Sequence, residues 1–293
     1  MAEPGSHGGG IAALPSRVDG RWVGPGQPAL TATDGALLLG MGVFETLMVH
    51  RGVAFRLPQH LDRLRRAAVR FAIPLPQNVE EEIQLFLKVL RPFDQAALRV
   101  TLIGGHGTGP DSDPGKPRLL IHARTPGSVP IRGISVARAG SPVNPLGATT
   151  GFKTLNYLEA LDARRVARLK GADDALRTNL WGEVVGGAMA NVFVLRRGVL
   201  LTPNLESGTL PGITRGVVRE LTAEGTVPLV ERGLGLRELL EADEIFFTNS
   251  LKGIVPVVSV DGGEVGDGVP GPFTRGLEEA YVKRVAEETG RPE

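Results

Sequence analysis

The sequence predicts an α/β (α+β) protein built in two parts. The 293 residues are enough for two hydrophobic cores. Apolar runs of strand length alternate with stretches of helical periodicity along most of the chain. Near residue 126 the composition turns rich in proline and glycine, in PGSVPIRG, which marks a linker over 126–133.

Residues 1–20 are expected to be a flexible tail, because MAEPGSHGGGIAALPS has neither the basic start nor the apolar core of a signal peptide. The smaller α/β domain is expected over 21–125. In it, LLLGMGVFETLMVHRGVAF (37–55) predicts two strands in a hairpin with its turn at His50–Gly52. LPQHLDRLRRAAVRFAI (57–73) places Leu57, Leu61, Leu64, Ala68 and Phe71 at helical spacing. Asn78 is a candidate N-cap for a helix over 79–90, with acids in its first turn. Residues 97–105 and 118–125 predict buried strands joined by a Gly/Pro/Asp loop.

The larger domain is expected over 134–293, opening with the strand ISVAR (134–138). TLNYLEALDARRVARLKG (154–171) predicts a helix closed by Gly171. Strands are predicted at 174–179, 183–187, 191–203 and 242–250, and helices at 213–225 and 272–289.

Composition narrows the chemistry. Without cysteine there are no disulfides, thiolate metal sites or cysteine nucleophiles. A formal net charge of +1 gives no reason to expect nucleic acid or an acidic membrane as partner, and no apolar run is long enough to span a bilayer. A cytoplasmic protein is expected. Only six residues are lysine (Lys88, Lys116, Lys153, Lys170, Lys252, Lys283) against 27 arginines. Lys153, in GFKTLNYLEA, therefore stands out. Taken alone it is a solvated lysine at a helix start.

Five motifs occur in order: GMGVFETLMVHRGVAFRLPQHLDRL (40–64), GFKTLNYLEALDARRVA (151–167), GEVVGGAMANVFVLRRGVLLTP (182–203), GTLPGITRGVVREL (208–221) and TNSLKGIVPV (248–257). Together they resemble the class IV aminotransferases, the fold-type IV pyridoxal-phosphate (PLP) enzymes. The resemblance runs from about residue 35 to 260. It implies two α/β domains with PLP in the cleft between them, a homodimer and a small amino substrate. By resemblance Lys153 forms the Schiff base with PLP, a task for a primary amine that can lose its proton, which guanidinium cannot do. Arg63 matches a phosphate-binding arginine, whose fork suits phosphate. Ile213 and Thr214, opening a helix after Pro211–Gly212, match the phosphate cup, with Thr248, Asn249 and Ser250 on its far side. Tyr157 is placed to meet the cofactor's phenolic oxygen. Gly186 and Asn191 fall among the implied cofactor contacts, and Phe44 and His106 are candidates for the substrate side. No metal is implied.

Two departures stand out. The family carries a glutamate five residues before the asparagine of N-[VIL]-F, and it keeps the PLP ring nitrogen protonated. Here that asparagine is Asn191 and the fifth residue back is Gly186. Glu183 lies three residues earlier, on the wrong face of a regular strand, and reads as a solvated turn residue. Relatives also often carry arginines after the strand at 97–105, where this chain has Gly104 and Gly109. Arg99 remains, inside the strand.

TNSLKGIVPV and GFKTLNYLEALDARRVA look most like 4-amino-4-deoxychorismate lyases, which form 4-aminobenzoate and pyruvate for folate synthesis. An aminotransferase acting on D- or branched-chain amino acids is the alternative. A PLP-binding protein with weak or lost catalysis is the third, motivated by Gly186.

Overall fold

The described residues of this computed structural model are 14–104, 116–128 and 130–290. They form two compact units. One holds the described residues up to Gly127, with Phe152–Asn156 and those from Val285 on; the other holds Ser128–Gly151 and Tyr157–Arg284.

The first unit contains β1 (Ser16–Val18), β2 (Arg21–Val23), α1 (Gly35–Leu39), β3 (Gly42–His50), β4 (Val53–Ala54), α2 (Leu57–Arg70), α3 (Val79–Val89), β5 (Ala96–Ile103) and β6 (Arg118–Arg124). Its antiparallel sheet has the order β2-β1-β6-β5-β3-β4. β3 and β5 pair from Gly42↔Ile103 to Val49↔Ala96. Alternate residues of β3 (Val43, Leu47, Val49) join a core with Leu61, Leu64 and Ala68 of α2 and Ile83 and Phe86 of α3. The predicted hairpin turn falls at Arg51 (φ 46°) and Gly52 (φ 81°), both left-handed as a primed two-residue turn requires.

Three expectations are corrected here. Ser16–Val18, expected within the tail, is a strand: Asp19 and Gly20 turn the chain into β2, β1 pairs with β6, and the Asp19 carboxylate accepts from the Leu119 N–H at 2.9 Å. Leu37–Leu39, expected in a strand, lies in α1, which Gly40 ends in a left-handed conformation (φ 65°). Asn78 precedes α3 but makes no side-chain cap; its amide donates to Glu82 at 3.2 Å.

The second unit contains β7 (Ile134–Arg138), α4 (Leu158–Leu169), β8 (Asp174–Thr178), β9 (Val184–Gly187), β10 (Asn191–Arg196), β11 (Val199–Thr202), α5 (Ile213–Ala223), β12 (Leu229–Glu231), α6 (Leu236–Leu240), β13 (Glu244–Asn249), β14 (Gly253–Val260), β15 (Gly263–Glu264) and α7 (Pro272–Thr289), the last turns of α7 belonging to the first unit. The main sheet path is β12-β11-β10-β13-β14-β7-β8-β9, with β15 on β14. Valines 136, 184, 192, 194, 255 and 257 with Ile245 and Phe247 form a core on one face. On the other, Ala137 and Ala175 meet Ala163 and Ala167 of α4. Phe193 stacks on Phe246, centroids 5.0 Å apart. The single strand expected over 191–203 is a hairpin, turned at Arg197 and Gly198. The helix expected from residue 154 begins at Leu158, because the backbone before it is hydrogen-bonded elsewhere. No described helix is long and apolar enough to cross a membrane.

Phe193 is fully buried. Phe193→Ala should cost about 3–5 kcal/mol through lost transfer energy and a cavity, read as a lowered urea midpoint with unchanged slope.

Candidate active site

In the first unit, Lys153 sits on a short extended segment laid along β3. The Phe44 N–H donates to the Lys153 carbonyl at 2.9 Å, the Leu155 N–H donates to the Gly42 carbonyl at 2.9 Å, and Thr154 bridges to Val43. Two glycines make room for this approach. A Cβ at Gly42 would meet the Leu155 side chain at 2.5 Å, and one at Gly40 would meet the Asn156 amide at 2.5 Å. The ammonium nitrogen of Lys153 lies 4.3 Å from the ring centroid of Phe44, and the guanidinium carbon of Arg99 lies 3.5 Å from the same centroid. A ring face attracts cations, so buried Phe44 steadies both charges. Two of the residues singled out in the sequence, Lys153 and Phe44, are thus brought together. Arg99, set aside as a strand residue, joins them from the middle of β5.

Arg63 lies on α2 and is 5% exposed. Its Nε and Nη2 each donate to the Glu45 carboxylate at 2.8 Å, and His60 Nδ1 is 2.7 Å from the same group. Burial pushes Glu45 up, but the hydrogen bonds and charge of Arg63, with His60 behind, outweigh it and hold the carboxyl down at about 2. An ionised carboxylate only accepts, so His60 donates from Nδ1. Burial pushes His60 down, Glu45 pulls it up, and Arg63 and Lys153 push it down again; the net direction is down. Glu45 is the buried charge that the sequence analysis missed. The signal was present: a lone acid inside the apolar strand VFETLMV.

In the second unit, α5 begins at Ile213 with Gly212 as N-cap, no side-chain cap and no acid in its first turn. Ile213 and Thr214 therefore lie at the positive end of the helix dipole. Asn191 holds this start in place. Its amide donates to Thr209 Oγ1 at 2.9 Å and to the Leu210 carbonyl at 2.8 Å, and its oxygen fills the space a Cβ on Gly212 would take. Thr248 pairs directly with Asn191 across the sheet, so both side chains share one face. The Thr248 hydroxyl is buried with no hydrogen-bond partner. An uncapped helix start beside an unsatisfied hydroxyl fits a phosphate. Asn249 is used in a turn, its side-chain oxygen accepting from the N–H groups of Leu251 and Lys252 at 3.0 and 2.9 Å. Ser250 follows in the turn that closes the β13–β14 hairpin, half-buried. Tyr157 stands at the N-cap of α4 rather than within the helix.

Gly186 has φ 152°, and a Cβ there would overlap the Ala190 carbonyl oxygen. β9 is irregular at this point: Arg177 pairs with Gly186 but Thr178 pairs with Val184, leaving Val185 as a bulge. Glu183 does not stand in. It is not a solvated turn residue either: its carboxylate accepts from the Asn179 amide at 2.8 Å and the Ser207 hydroxyl at 3.1 Å. His106 and Gly109 lie outside the described residues. Gly104, at the end of β5, donates its N–H to the Met41 carbonyl at 3.2 Å. Among the described residues no group of His, Asp and Glu is arranged to hold a metal ion.

Comparison with known proteins gives a consistent picture. The amino-transferase class IV model matches residues 42–260. A Methanocaldococcus jannaschii protein provisionally named a branched-chain-amino-acid aminotransferase is 35% identical over 272 residues, covering 90% of this chain and 94% of that one. The crystal structure of the Escherichia coli branched-chain amino acid aminotransferase superimposes with a TM-score of 0.88 at 28% identity, covering 96% of each chain. That of 4-amino-4-deoxychorismate lyase from Pseudomonas aeruginosa gives 0.79 at 28% identity, covering 90% of this chain and 97% of that one.

Two outcomes follow from this geometry. Because Glu45 is held below its ordinary 4.5, its stabilisation is complete above that pH and is lost as pH falls toward 2. The loss amounts to about 3 kcal/mol. Urea midpoints should show this acid limb in the wild type and a flatter one in Glu45→Gln; equal slopes would refute it. Gly186→Ala should cost about 1–3 kcal/mol from strain alone, measured by the same unfolding assay.

Proposed function

The chain belongs to the class IV aminotransferase family, and on that footing we propose that it is a PLP-dependent enzyme of the lyase branch, converting 4-amino-4-deoxychorismate to 4-aminobenzoate and pyruvate. PLP, when bound, supplies an electron sink for the bond-breaking step. Lys153 is its proposed covalent anchor, and its amine then moves protons as general acid and base. Arg63, Tyr157, Ile213, Thr214 and Ser250 are the proposed further contacts, with Asn191 setting the position of Ile213 and Thr214. Lys153 and Arg99 both meet the ring of Phe44, and Arg99 offers a guanidinium to a substrate carboxylate. This supplies a cation on the substrate side, where Gly104 lacks one.

The observation that carries the lyase reading is Gly186. No acid stands at this position to keep the ring nitrogen protonated, and the local backbone leaves no room for one. A weaker sink favours elimination, in which the pair freed by proton loss at once forms the new C=C bond while the C–O pair leaves with the departing group. Transamination must instead hold that pair until a proton is delivered elsewhere. The lyase of Pseudomonas aeruginosa, similar in fold at 28% identity, supports this reading.

Transfer of the amino group from branched-chain amino acids is the second reading. It is favoured by the relative that is 35% identical. Purified protein with 4-amino-4-deoxychorismate should release 4-aminobenzoate, while leucine, isoleucine and valine leave the cofactor spectrum unchanged. Conversion of the cofactor by those amino acids, without 4-aminobenzoate release, would decide for the second reading. Lys153→Ala should lose the visible band of bound cofactor and about 10²–10⁴-fold in turnover. Arg99→Met should raise KM with the band intact.

A further inference from the structure

We propose that Glu45 is the positioning residue for Arg63, and that it thereby sets the preference of this site for a phosphorylated over an unphosphorylated pyridoxal. The proposal rests on the assignment of Arg63 to the cofactor phosphate.

The geometry is that of a built support. Glu45 is 1% exposed, His60 1% and Arg63 5%. Both carboxylate oxygens are used: Oε1 accepts from Arg63 Nε, and Oε2 accepts from Arg63 Nη2 and from His60. Two parallel bonds fix the plane of the guanidinium as well as its position. The third bond, from α2 one turn before Arg63, fixes the carboxylate itself. Glu45 is in turn anchored by β3, paired to β5 from Gly42 to Val49. An arginine carries several rotatable bonds, so a fork fixed before binding spares the entropy of ordering it. Nothing else in the described chemistry requires a buried ion pair with a histidine attached at this place.

Removing the Glu45 charge has opposed effects. It leaves Arg63 more attractive to anions, and it releases the guanidinium from its plane. We take orientation to dominate, because a phosphate bond needs the donor near 3 Å and well aligned. A glutamine would also turn an N–H₂ group toward donors of Arg63 and His60.

The test compares PLP with pyridoxal, which lacks only the phosphate, by absorbance and fluorescence titration of apoprotein. Glu45→Asp keeps the charge but withdraws the fork by one methylene; Glu45→Gln removes the charge. Both should lower the PLP-to-pyridoxal affinity ratio by about ten- to a hundredfold, the worth of one well-placed hydrogen bond to a charged group, while pyridoxal affinity holds. In an Arg63→Met background, Glu45→Asp should change the ratio no further. An unchanged or increased ratio in Glu45→Asp overturns the proposal, as does equal weakening of both ligands, which marks a merely structural role. Arg63→Met separates the two levels. If it leaves the ratio intact, the assignment of Arg63 to phosphate fails; if it lowers the ratio while Glu45→Asp does not, only the role of Glu45 fails.

Discussion

The candidate chemistry of this chain depends on one backbone pairing, that of Lys153–Leu155 with the start of β3. Two N–H···O bonds, which together make the Val43–Thr154 bridge, hold the segment against the strand. Such bonds are directional, so they fix the Cα of Lys153 more tightly than a helix end would. The pairing also explains why α4 starts late. Residues whose backbone groups are bonded to a strand cannot also close a helical turn. The glycines at 40 and 42 are the sequence cost of this arrangement, since side chains there would collide with Asn156 and Leu155.

β3 then does two things with neighbouring residues. Successive side chains point to opposite faces. Phe44 takes the cations of Lys153 and Arg99 on its ring, while Glu45, one residue on, takes Arg63 and His60 beneath α2. A strand face otherwise made of Val43, Leu47 and Val49 tolerates a buried carboxylate only because its oxygens are so fully satisfied. A buried ion pair of this kind is weak evidence for stability, because desolvation offsets much of the attraction. Its value lies in holding Arg63 in one orientation.

Much of the architecture was legible in the sequence. α2 followed from its apolar spacing and β5, β6 and β13 from apolar runs, because local pattern and burial agree there, and α3, α5, α7, β7 and β8 also lie close to their expected bounds. What escaped were features fixed by distant partners. β1 exists because β6 has an edge to cover, which no local signal reports. β14 carries Pro256, a residue that argues against an inner strand. Within the site, Lys153 and Phe44 were legible as motif members. Arg99 was discounted for lying in a strand, although a strand residue on the right face reaches the site as well as a loop residue does. Glu45 was missed because an acid in an apolar run is interpretable only when its partner is known, and Arg63 lies 18 residues away.

The same distinction bears on Gly186. From sequence it is a missing carboxylate, as if a side chain had been deleted from an unchanged strand. In the fold it is a backbone conformation: the bulge at Val185 shifts the pairing with β8, and the chain at 186 takes a φ that L-residues rarely adopt. A glutamate placed there would first have to undo the bulge, because its Cβ meets the Ala190 carbonyl before its carboxylate reaches anything. In this chain the absence of an acid at 186 and the local course of β9 go together. Gly186→Glu alone would therefore strain this backbone rather than present a carboxylate from a regular strand.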